Sequence, residues 1–190
     1  AKVEKPIKSS NPKIIDYANS GMRSDFMDIY LSAKCNFSIS TGSGLDEISV
    51  IFRKPIAYIG NVPFITIGKS NKETLVLTKH HINKRNQKEL TISEIFSANV
   101  AFVTETKKYE LNNVELQENS PEEIRDLVIE MDERLKGGWK ETNEDLLLQK
   151  RFWSIFEDRM KRLNLIEPIH GKIKVRFGAK FLRENQNWIR

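Results

Sequence analysis

The sequence predicts an α/β domain in which helices cover a parallel sheet. Short apolar segments suited to buried strands, such as Ile56–Ile59, alternate with segments whose apolar residues recur at helical spacing. Loops rich in glycine and other small residues separate several of these segments. The length of 190 residues, of which 39% are hydrophobic and 30% charged, suits one globular domain, or one domain with an appended segment.

A first helix and strand are predicted early in the chain. The helix is expected over Asp25–Ala33, because Ser24 is a suitable N-cap and apolar residues recur every third or fourth position. A short strand is expected over Asn36–Ile39. The apolar face of the helix consists of Phe26, Ile29, Tyr30 and Ala33.

A second helix and strand follow directly. The helix is expected over Gly44–Phe52, where Lys54-Pro55 stops it. Ile56–Ile59 is then a buried strand, and Gly60-Asn61-Val62-Pro63 is the loop at its end. The helix is expected to bury Leu45, Ile48, Ile51 and Phe52.

The middle of the chain has weaker patterns. Leu75–Leu77 is expected to be a strand or an extended loop, and Thr91–Phe96 a short helix. Val100–Val103 is predicted as a further strand. The polar stretch Glu105–Asn119 is predicted as a loop, with a short strand at Val114–Leu116 as an option.

Three helices are predicted in the last third. Ser120-Pro121-Glu122-Glu123 combines an N-cap, a proline at the first helical position and a carboxylate three residues after the cap, and Gly137-Gly138 suits the helix end. Further helices are expected over Asn143–Arg162 and Lys172–Glu184. We therefore expect a domain over residues 1–142. Residues 143–190 would form a basic helical extension that packs on this domain or on another one.

Positive charge is concentrated in that C-terminal segment. Residues 150–190 contain 11 Lys/Arg and 4 Asp/Glu, a net charge of +7, whereas residues 1–149 have a net charge of −2. A basic segment of this kind can face a partner domain, an anionic membrane or nucleic acid. We favour docking on another domain, with peripheral membrane contact as an addition to it.

The remaining composition suggests a cytoplasmic protein. The single cysteine, Cys35, cannot form an internal disulfide and is expected to be a structural thiol. No apolar run approaches the roughly 20 residues that span a bilayer, and the polar N-terminus does not resemble a signal peptide. Because the sequence does not begin with methionine, we expect it to be part of a longer polypeptide.

The loop Ser40-Thr41-Gly42-Ser43-Gly44 is the main candidate binding site. It lies between a predicted strand and a predicted helix, where backbone N–H groups can bind phosphate, and its glycines allow a ligand close to the backbone. Asp46 and Glu47 follow in the first helical turn and could accept a hydrogen bond from a sugar hydroxyl. A plain strand–turn–helix connection stays open, because the loop matches neither a Walker motif nor a GxGxxG fingerprint.

A wider pattern surrounds this loop. It runs from Arg23-Ser24-Asp25 through the helix that ends at Ala33-Lys34-Cys35, and on to Thr41–Gly44 and Phe52-Arg53-Lys54-Pro55-Ile56. This pattern resembles the donor-binding half of GT-B glycosyltransferases. It is most similar to a bacterial glycosyltransferase family distantly related to the heptosyltransferases, and the likeness extends over most of the chain.

The resemblance implies the Rossmann-like C-terminal domain of a GT-B fold, a nucleotide sugar as the donor substrate and no metal cofactor. Arg23 would pair with a donor phosphate, although a surface ion pair with Asp25 or Asp28 is an equal alternative. The implied donor-binding residues are Arg23, Ser40, Thr41, Gly42, Ser43, Gly44, Asp46 and Glu47.

Other chemical groups give no second site. The adjacent pair His80-His81 cannot direct both rings to one face of a helix or strand, so a shared metal is not expected. A surface-loop role is favoured; the alternative is that one of them lines an interdomain cleft and contacts phosphate or acceptor. No convincing general base is present, and the resemblance implies that a missing N-terminal domain supplies it.

The sequence thus predicts the nucleotide-sugar-binding part of a glycosyltransferase. Its acceptor would be a glycan or a lipid-linked molecule in bacterial envelope polysaccharide synthesis, and this piece alone would catalyse little. The alternatives are a non-catalytic interaction domain and a basic nucleic-acid-binding domain. The negative balance of residues 1–149 disfavours nucleic acid as a partner.

Overall fold

A computed structural model describes residues 5–64, 73–163 and 175–190. Within these ranges the chain forms seven strands, namely β1 (Ser38–Ser40), β2 (Ile56–Tyr58), β3 (Leu75–Val76), β4 (His80–Asn83), β5 (Lys88–Glu89), β6 (Val114–Gln117) and β7 (Arg176–Phe177). It also forms seven α-helices, namely α1 (Asp25–Lys34), α2 (Asp46–Ile51), α3 (Ile92–Ser97), α4 (Thr106–Leu111), α5 (Pro121–Leu135), α6 (Asn143–Arg162) and α7 (Ala179–Glu184).

The main sheet is parallel, and the predicted α/β class is confirmed. Its four strands are ordered β1-β2-β3-β7, and every neighbouring pair runs in the same direction. In the register, Ile39 lies beside Ala57, and Ala57 beside Leu75. This parallel sheet with helices around it is consistent with a Rossmann-like architecture.

A second, antiparallel sheet has the strand order β5-β4-β6 and was not expected. Strand β4 directly follows the end of β3, so the chain passes from one sheet into the other within a few residues. His80 pairs with Gln117, and Asn83 pairs with Val114. The option of a strand at Val114–Leu116 is confirmed as β6.

Helices cover both faces of the parallel sheet. On one face Gly178, which follows β7, lies so close to Leu127 of α5 that a β-carbon would be 2.9 Å from Leu127 Cδ1. On the other face Phe177 packs against Phe152 of α6, with ring centroids 4.2 Å apart. Phe152 and Phe177 are both fully buried.

The described parts of the C-terminal segment, residues 143–163 and 175–190, share one core with the other described residues. Helix α6 contributes Phe152 and Phe156 to the central apolar cluster, and β7 is the fourth strand of the parallel sheet. The Gln149 side chain also hydrogen-bonds both backbone groups of Phe177. The segment is therefore built into the domain through a strand as well as through helices.

Several predicted elements agree with the structure. Helix α6 has the expected bounds, and α1 begins after the Ser24 cap, whose Oγ accepts from the Met27 N–H. Helix α5 begins with the capping box of Ser120 and Glu123 and ends before Gly137, whose φ is 73°. The strand at Ile56–Ile59 is observed as β2, and Thr91 caps α3.

Three element predictions were wrong. Val100–Val103 is a turn rather than a strand, because the Val103 N–H donates to the Val100 carbonyl, while Val100 and Ala101 are buried. The expected loop at 105–119 contains α4. The expected helix at 172–184 begins only at Ala179, since Arg176 and Phe177 form β7, and its residues 172–174 lie outside the described residues.

The expected burial of the first two helices was also wrong. Helix α1 has no buried residue, and the apolar face that contains Phe26 points away from the body of the domain. Helix α2 buries Asp46 and Ser49 instead of its apolar residues, because its small and polar side faces β2. Leu45, Ile51 and Phe52 are all at least half exposed.

Candidate functional site

The candidate site lies at the carboxyl edge of the parallel sheet. Because the strands are parallel, the segments that follow Ser40, Tyr58, Val76 and Phe177 all emerge at this edge. Ligands of open α/β sheets bind outside the carboxyl ends of the strands. The topology thus brings the predicted loop to the edge where such sites are found.

The loop after β1 presents unused backbone donors. Gly42 has a φ of 83°, a left-handed conformation that suits glycine, and its N–H donates to Ser40 Oγ at 3.0 Å. Within the described part of the chain, the N–H groups of Thr41, Ser43 and Gly44 donate to no protein acceptor. Residues 41–44 are exposed, so these three groups are accessible to a ligand.

A cavity of about 120 Å³ opens beside this loop. The segment after β1 and the start of α2 form one wall, and the end of β2 with the residues after it forms the other. Its lining consists of Gly42, Ser43, Gly44, Asp46, Glu47, Tyr58 and Asn61. The structure therefore brings together five of the predicted residues and adds Tyr58 and Asn61.

Asp46 is held inside the protein. Asp46 is only 7% exposed, and its carboxylate lies near the Tyr58 hydroxyl. Burial and the nearby Asp46 carboxylate raise the pKa of Tyr58 far above its usual value, so the phenol stays protonated. Asp46 thereby fixes the first turn of α2 against β2, and Glu47 remains the exposed carboxylate of the pair.

Asn61 anchors the loop that follows β2. Its N–H donates to the Leu77 carbonyl at 2.8 Å, and its own carbonyl accepts from Thr78 Oγ1 at 2.9 Å. These bonds join the ends of β2 and β3, and they hold Asn61 at the cavity wall. The sequence located Asn61 only as part of a strand-end loop, because the contacts that position it involve residues 16 and 17 positions later.

A polar brace supports the neighbouring loop at Gly60. The Gly60 N–H donates to Asn119 Oδ1 at 2.9 Å, and Asn119 Nδ2 donates to the Thr78 carbonyl at 3.0 Å. Lys79 forms an ion pair with Glu118, and both side chains lie against Gly60. Lys79 is thus positioned at the same sheet edge. It lies beside Gly60, the residue directly before Asn61 of the cavity lining.

His80 is a charged residue between two carboxylates. Its Nδ1 lies 2.7 Å from Glu89 Oε1, and its Nε2 lies 3.0 Å from Glu123 Oε1. The hydrogen bonds that His80 donates to Glu123 and Glu89 raise the pKa of His80 to about 10. The imidazolium is therefore a structural cation that ties β4 to β5 and α5, and it is unsuited to act as a base at neutral pH.

His81 points to the other face of β4 and is buried. Burial lowers the pKa of His81 to about 4, and its Nδ1 donates to the Lys79 carbonyl at 3.0 Å. The ring packs against Phe64 and Tyr109. The prediction that the histidines do not share a face is confirmed, whereas the expected surface-loop position was wrong because both lie on a strand.

Arg23 and Cys35 lie outside the cavity lining. Arg23 is exposed and its Nε lies 3.4 Å from Asp28 Oδ2, the surface pair that the sequence left open. Asp28 also accepts from the Tyr17 hydroxyl at 2.7 Å. Cys35 is half-buried after α1, and its thiol donates to the Ser32 carbonyl.

Comparisons with known proteins add no relative. No family model, curated protein or solved structure matches this chain. Among the described residues, no group of three or more His, Cys, Asp or Glu could hold a metal ion. No helix in the described ranges has the length and hydropathy needed to cross a membrane.

Proposed function

We propose that this chain is the nucleotide-sugar-binding part of a glycosyltransferase with a GT-B fold. One observation carries the proposal: the loop Ser40–Gly44 presents three unused N–H groups next to a cavity at the carboxyl edge of a parallel sheet. Exposed N–H groups in a glycine-containing loop suit an anion such as a diphosphate. The resemblance of residues 23–60 to glycosyltransferase donor sites agrees with this interpretation.

The acidic residues of the cavity set a limit on where phosphate can bind. Repulsion from the exposed Glu47 carboxylate would weaken the binding of a phosphate about 7 Å away. The cost in binding free energy is about 0.6 kcal/mol in bulk water and about 2.4 kcal/mol at an effective dielectric constant of ~20. Each charge-assisted hydrogen bond from a loop N–H contributes about 1.5–3 kcal/mol. Three such bonds outweigh the repulsion, provided the phosphates contact the loop rather than the helix start.

Glu47 and Asn61 then suit the uncharged part of the donor. A carboxylate and an amide both bind hydroxyl groups, which a ribose or a transferred sugar presents. Asp46 is buried beside Tyr58, so we assign it the role of holding the wall of the site. Arg23 and Lys79 are the cations that could approach the diphosphate from outside the cavity.

The transfer reaction would need a second domain. We assign no general base to the described residues, because His80 is a paired cation and both His81 and Asp46 are buried. A longer polypeptide would supply the base and the acceptor, which we propose to be a glycan or a lipid-linked molecule. A cytoplasmic location near the inner membrane surface would suit such an acceptor.

Isothermal titration with uridine, guanosine and adenosine diphosphates and their sugar conjugates tests the proposal. Gly44→Val is the informative variant, because a β-carbon there meets no atom within 4 Å and the backbone is not left-handed, so the fold tolerates it. The added side chain should weaken binding at least tenfold, or about 1.4 kcal/mol. Gly138→Val, far from the site in sequence, is the matched control.

Binding of one nucleotide class that Gly44→Val weakens and Gly138→Val preserves would support the proposal. Equal binding by all three proteins would overturn the assignment of the loop. Absence of binding to every nucleotide tested would favour a non-catalytic interaction domain that shares only the architecture.

A further inference from the structure

The two helices nearest the edge strand β1 have their apolar sides turned outward. Helix α1 exposes Phe26, Ile29 and Tyr30, and α2 exposes Ile51, the most exposed large apolar side chain of the described residues, at 74%. The two helices pack against each other. Their inward sides carry small or polar groups instead, such as Asp46 and Ser49 of α2.

Strand β1 lies at the edge of the sheet next to these helices. It pairs with β2 on one side, and on its other side it has no partner strand among the described residues. Ile39, at its centre, is 48% exposed although its register neighbour Ala57 is fully buried. An open edge with an exposed apolar side chain is a template for a further strand.

The summed exposed apolar area approaches what each partner of a standard interface buries. We define the β1 surface as seven exposed apolar residues of α1, β1, α2 and the two residues that cap α2, namely Phe26, Ile29, Tyr30, Ile39, Leu45, Ile51 and Phe52. With about 180 Å² for each fully exposed side chain of this size, their exposed fractions correspond to about 700 Å². A standard interface buries about 800 Å² per partner, and apolar patches on monomers are usually about 300–600 Å².

The charges flanking this surface are polarised along the strand direction. Helix α2 returns from the end of β1 to the start of β2, so its first turn, with the exposed carboxylate of Glu47, lies at the carboxyl edge. Arg53 follows the helix at the amino edge. Helix α1 has the same polarity, with Asp25 in its first turn and Lys34 in its last.

We propose that the β1 surface binds a second copy of this chain around a twofold axis, with the two β1 strands antiparallel. In this arrangement the same patch serves both partners, and Ile39 of one copy meets Ile39 of the other. The acidic end of each helix pair faces the basic end of the partner's pair. The two sheets join into one eight-stranded sheet, and Arg53 of each copy lies near the loop that follows β1 in the other.

Charge complementarity selects this occupant among those that an apolar patch could accept. A parallel arrangement of two copies would oppose Asp25 with Asp25 and Arg53 with Arg53, which is repulsive, whereas the antiparallel one opposes unlike charges. The two ends of the β1 surface therefore carry opposite charge. Only a half-turn of one copy relative to the other brings unlike ends together. Such charge pairs determine the orientation of the two copies more than their affinity. The affinity comes from the buried apolar area.

Sedimentation velocity from micromolar to millimolar concentration tests the proposal on the full 190-residue chain. The wild type should be a dimer, and Ile51→Glu should weaken association about a hundredfold, because it places a charge in an apolar interface. Leu111→Glu on α4 is the matched control, since Leu111 is 70% exposed and lies outside the surface. It should remain dimeric.

A charge exchange tests the antiparallel arrangement separately. Asp25→Lys and Arg53→Glu should each weaken self-association, and a mixture of the two variants should form heterodimers. Arg53→Gly is a further variant that separates folding from association, because Arg53 has a φ of 54°. Glycine relieves the cost of that conformation, so the fold should become more stable while the dimer weakens.

Circular dichroism of each variant establishes that it is folded. A wild type that stays monomeric at millimolar concentration would overturn the proposal. A dimer that Leu111→Glu disrupts and Ile51→Glu does not would also overturn it. Failure of the charge-exchanged variants to form heterodimers would overturn the antiparallel arrangement.

Discussion

The neighbouring residues His80 and His81 should affect stability with opposite dependence on pH. His80 is hydrogen-bonded to Glu89 and Glu123, which raise its pKa to about 10, well above its ordinary value of 6.5. Stability from these bonds is complete below pH 6.5, where the histidine is charged in both states. It is lost as the pH rises from 6.5 towards 10, because only the folded protein then holds the proton.

The size of the pH effect on the free energy of unfolding follows from the difference between the two pKa values of His80. The difference of about 3.5 pH units would correspond to almost 5 kcal/mol at 1.36 kcal/mol per unit. His80 is partly exposed to solvent, which weakens its ion pairs, so we expect about 2 kcal/mol. His81 is the internal control, because burial lowers its pKa to about 4. Its contribution is present above pH 6.5 and is lost as the pH falls towards 4.

Urea unfolding at pH 6 and pH 9, followed by tryptophan fluorescence, measures this effect. In the wild type the His80 contribution should fall by about 2 kcal/mol between the two values. His80→Gln should remove that fall, whereas His81→Gln should keep it and change the acid side of the profile instead. The same loss between pH 6 and pH 9 in wild type and His80→Gln would refute the assignment of His80 as a structural cation.

Three further substitutions test the fold. Phe152→Ala should lower the free energy of unfolding by about 3–5 kcal/mol in urea titrations, because it empties the centre of the aromatic core. Leu147→Ala, on the exposed side of α6, is its control and should change that free energy by less than about 0.5 kcal/mol. Ser120→Ala should cost about 1 kcal/mol through loss of the capping box, and Ser120→Gly should cost less; equal losses from both would argue against a capping role. Glu130→Ala should cost about 3–5 kcal/mol, because it leaves Arg134 and the Ala179 N–H without their buried partner; a thermal melt unchanged from wild type would contradict this.

Local sequence signals predicted the helices with strong caps and the class of a parallel sheet covered by helices, but not the order of its strands. Helix α6 and the start of α5 were predictable because the capping residues and the apolar spacing agree within one segment. The loop after β1 was predictable for the same reason, since glycines and small residues mark it in the sequence. Local patterns do not reveal which elements pair at long range, so the antiparallel sheet around β4 was missed.

The missing details of the site are long-range contacts. Tyr58 lines the cavity beside Asp46, and Asn61 lines it because the end of β3 holds the Asn61 backbone. The spacing of apolar residues also could not predict whether the apolar sides of α1 and α2 face the domain or the solvent. Spacing shows that a helix has an apolar face, but it does not show which side the rest of the protein covers.

The central claim is that the backbone of the loop Ser40–Gly44 binds the diphosphate of a nucleotide. Nitrogen–proton correlation spectra recorded during titration with uridine, guanosine and adenosine diphosphates test it most directly. With the nucleotide that binds, the amide signals of Thr41, Ser43 and Gly44 should move together in a saturable way, and the corresponding nucleoside without phosphate should move them much less. Saturable shifts confined to other parts of the chain, or no shifts with any of the three diphosphates, would contradict the account.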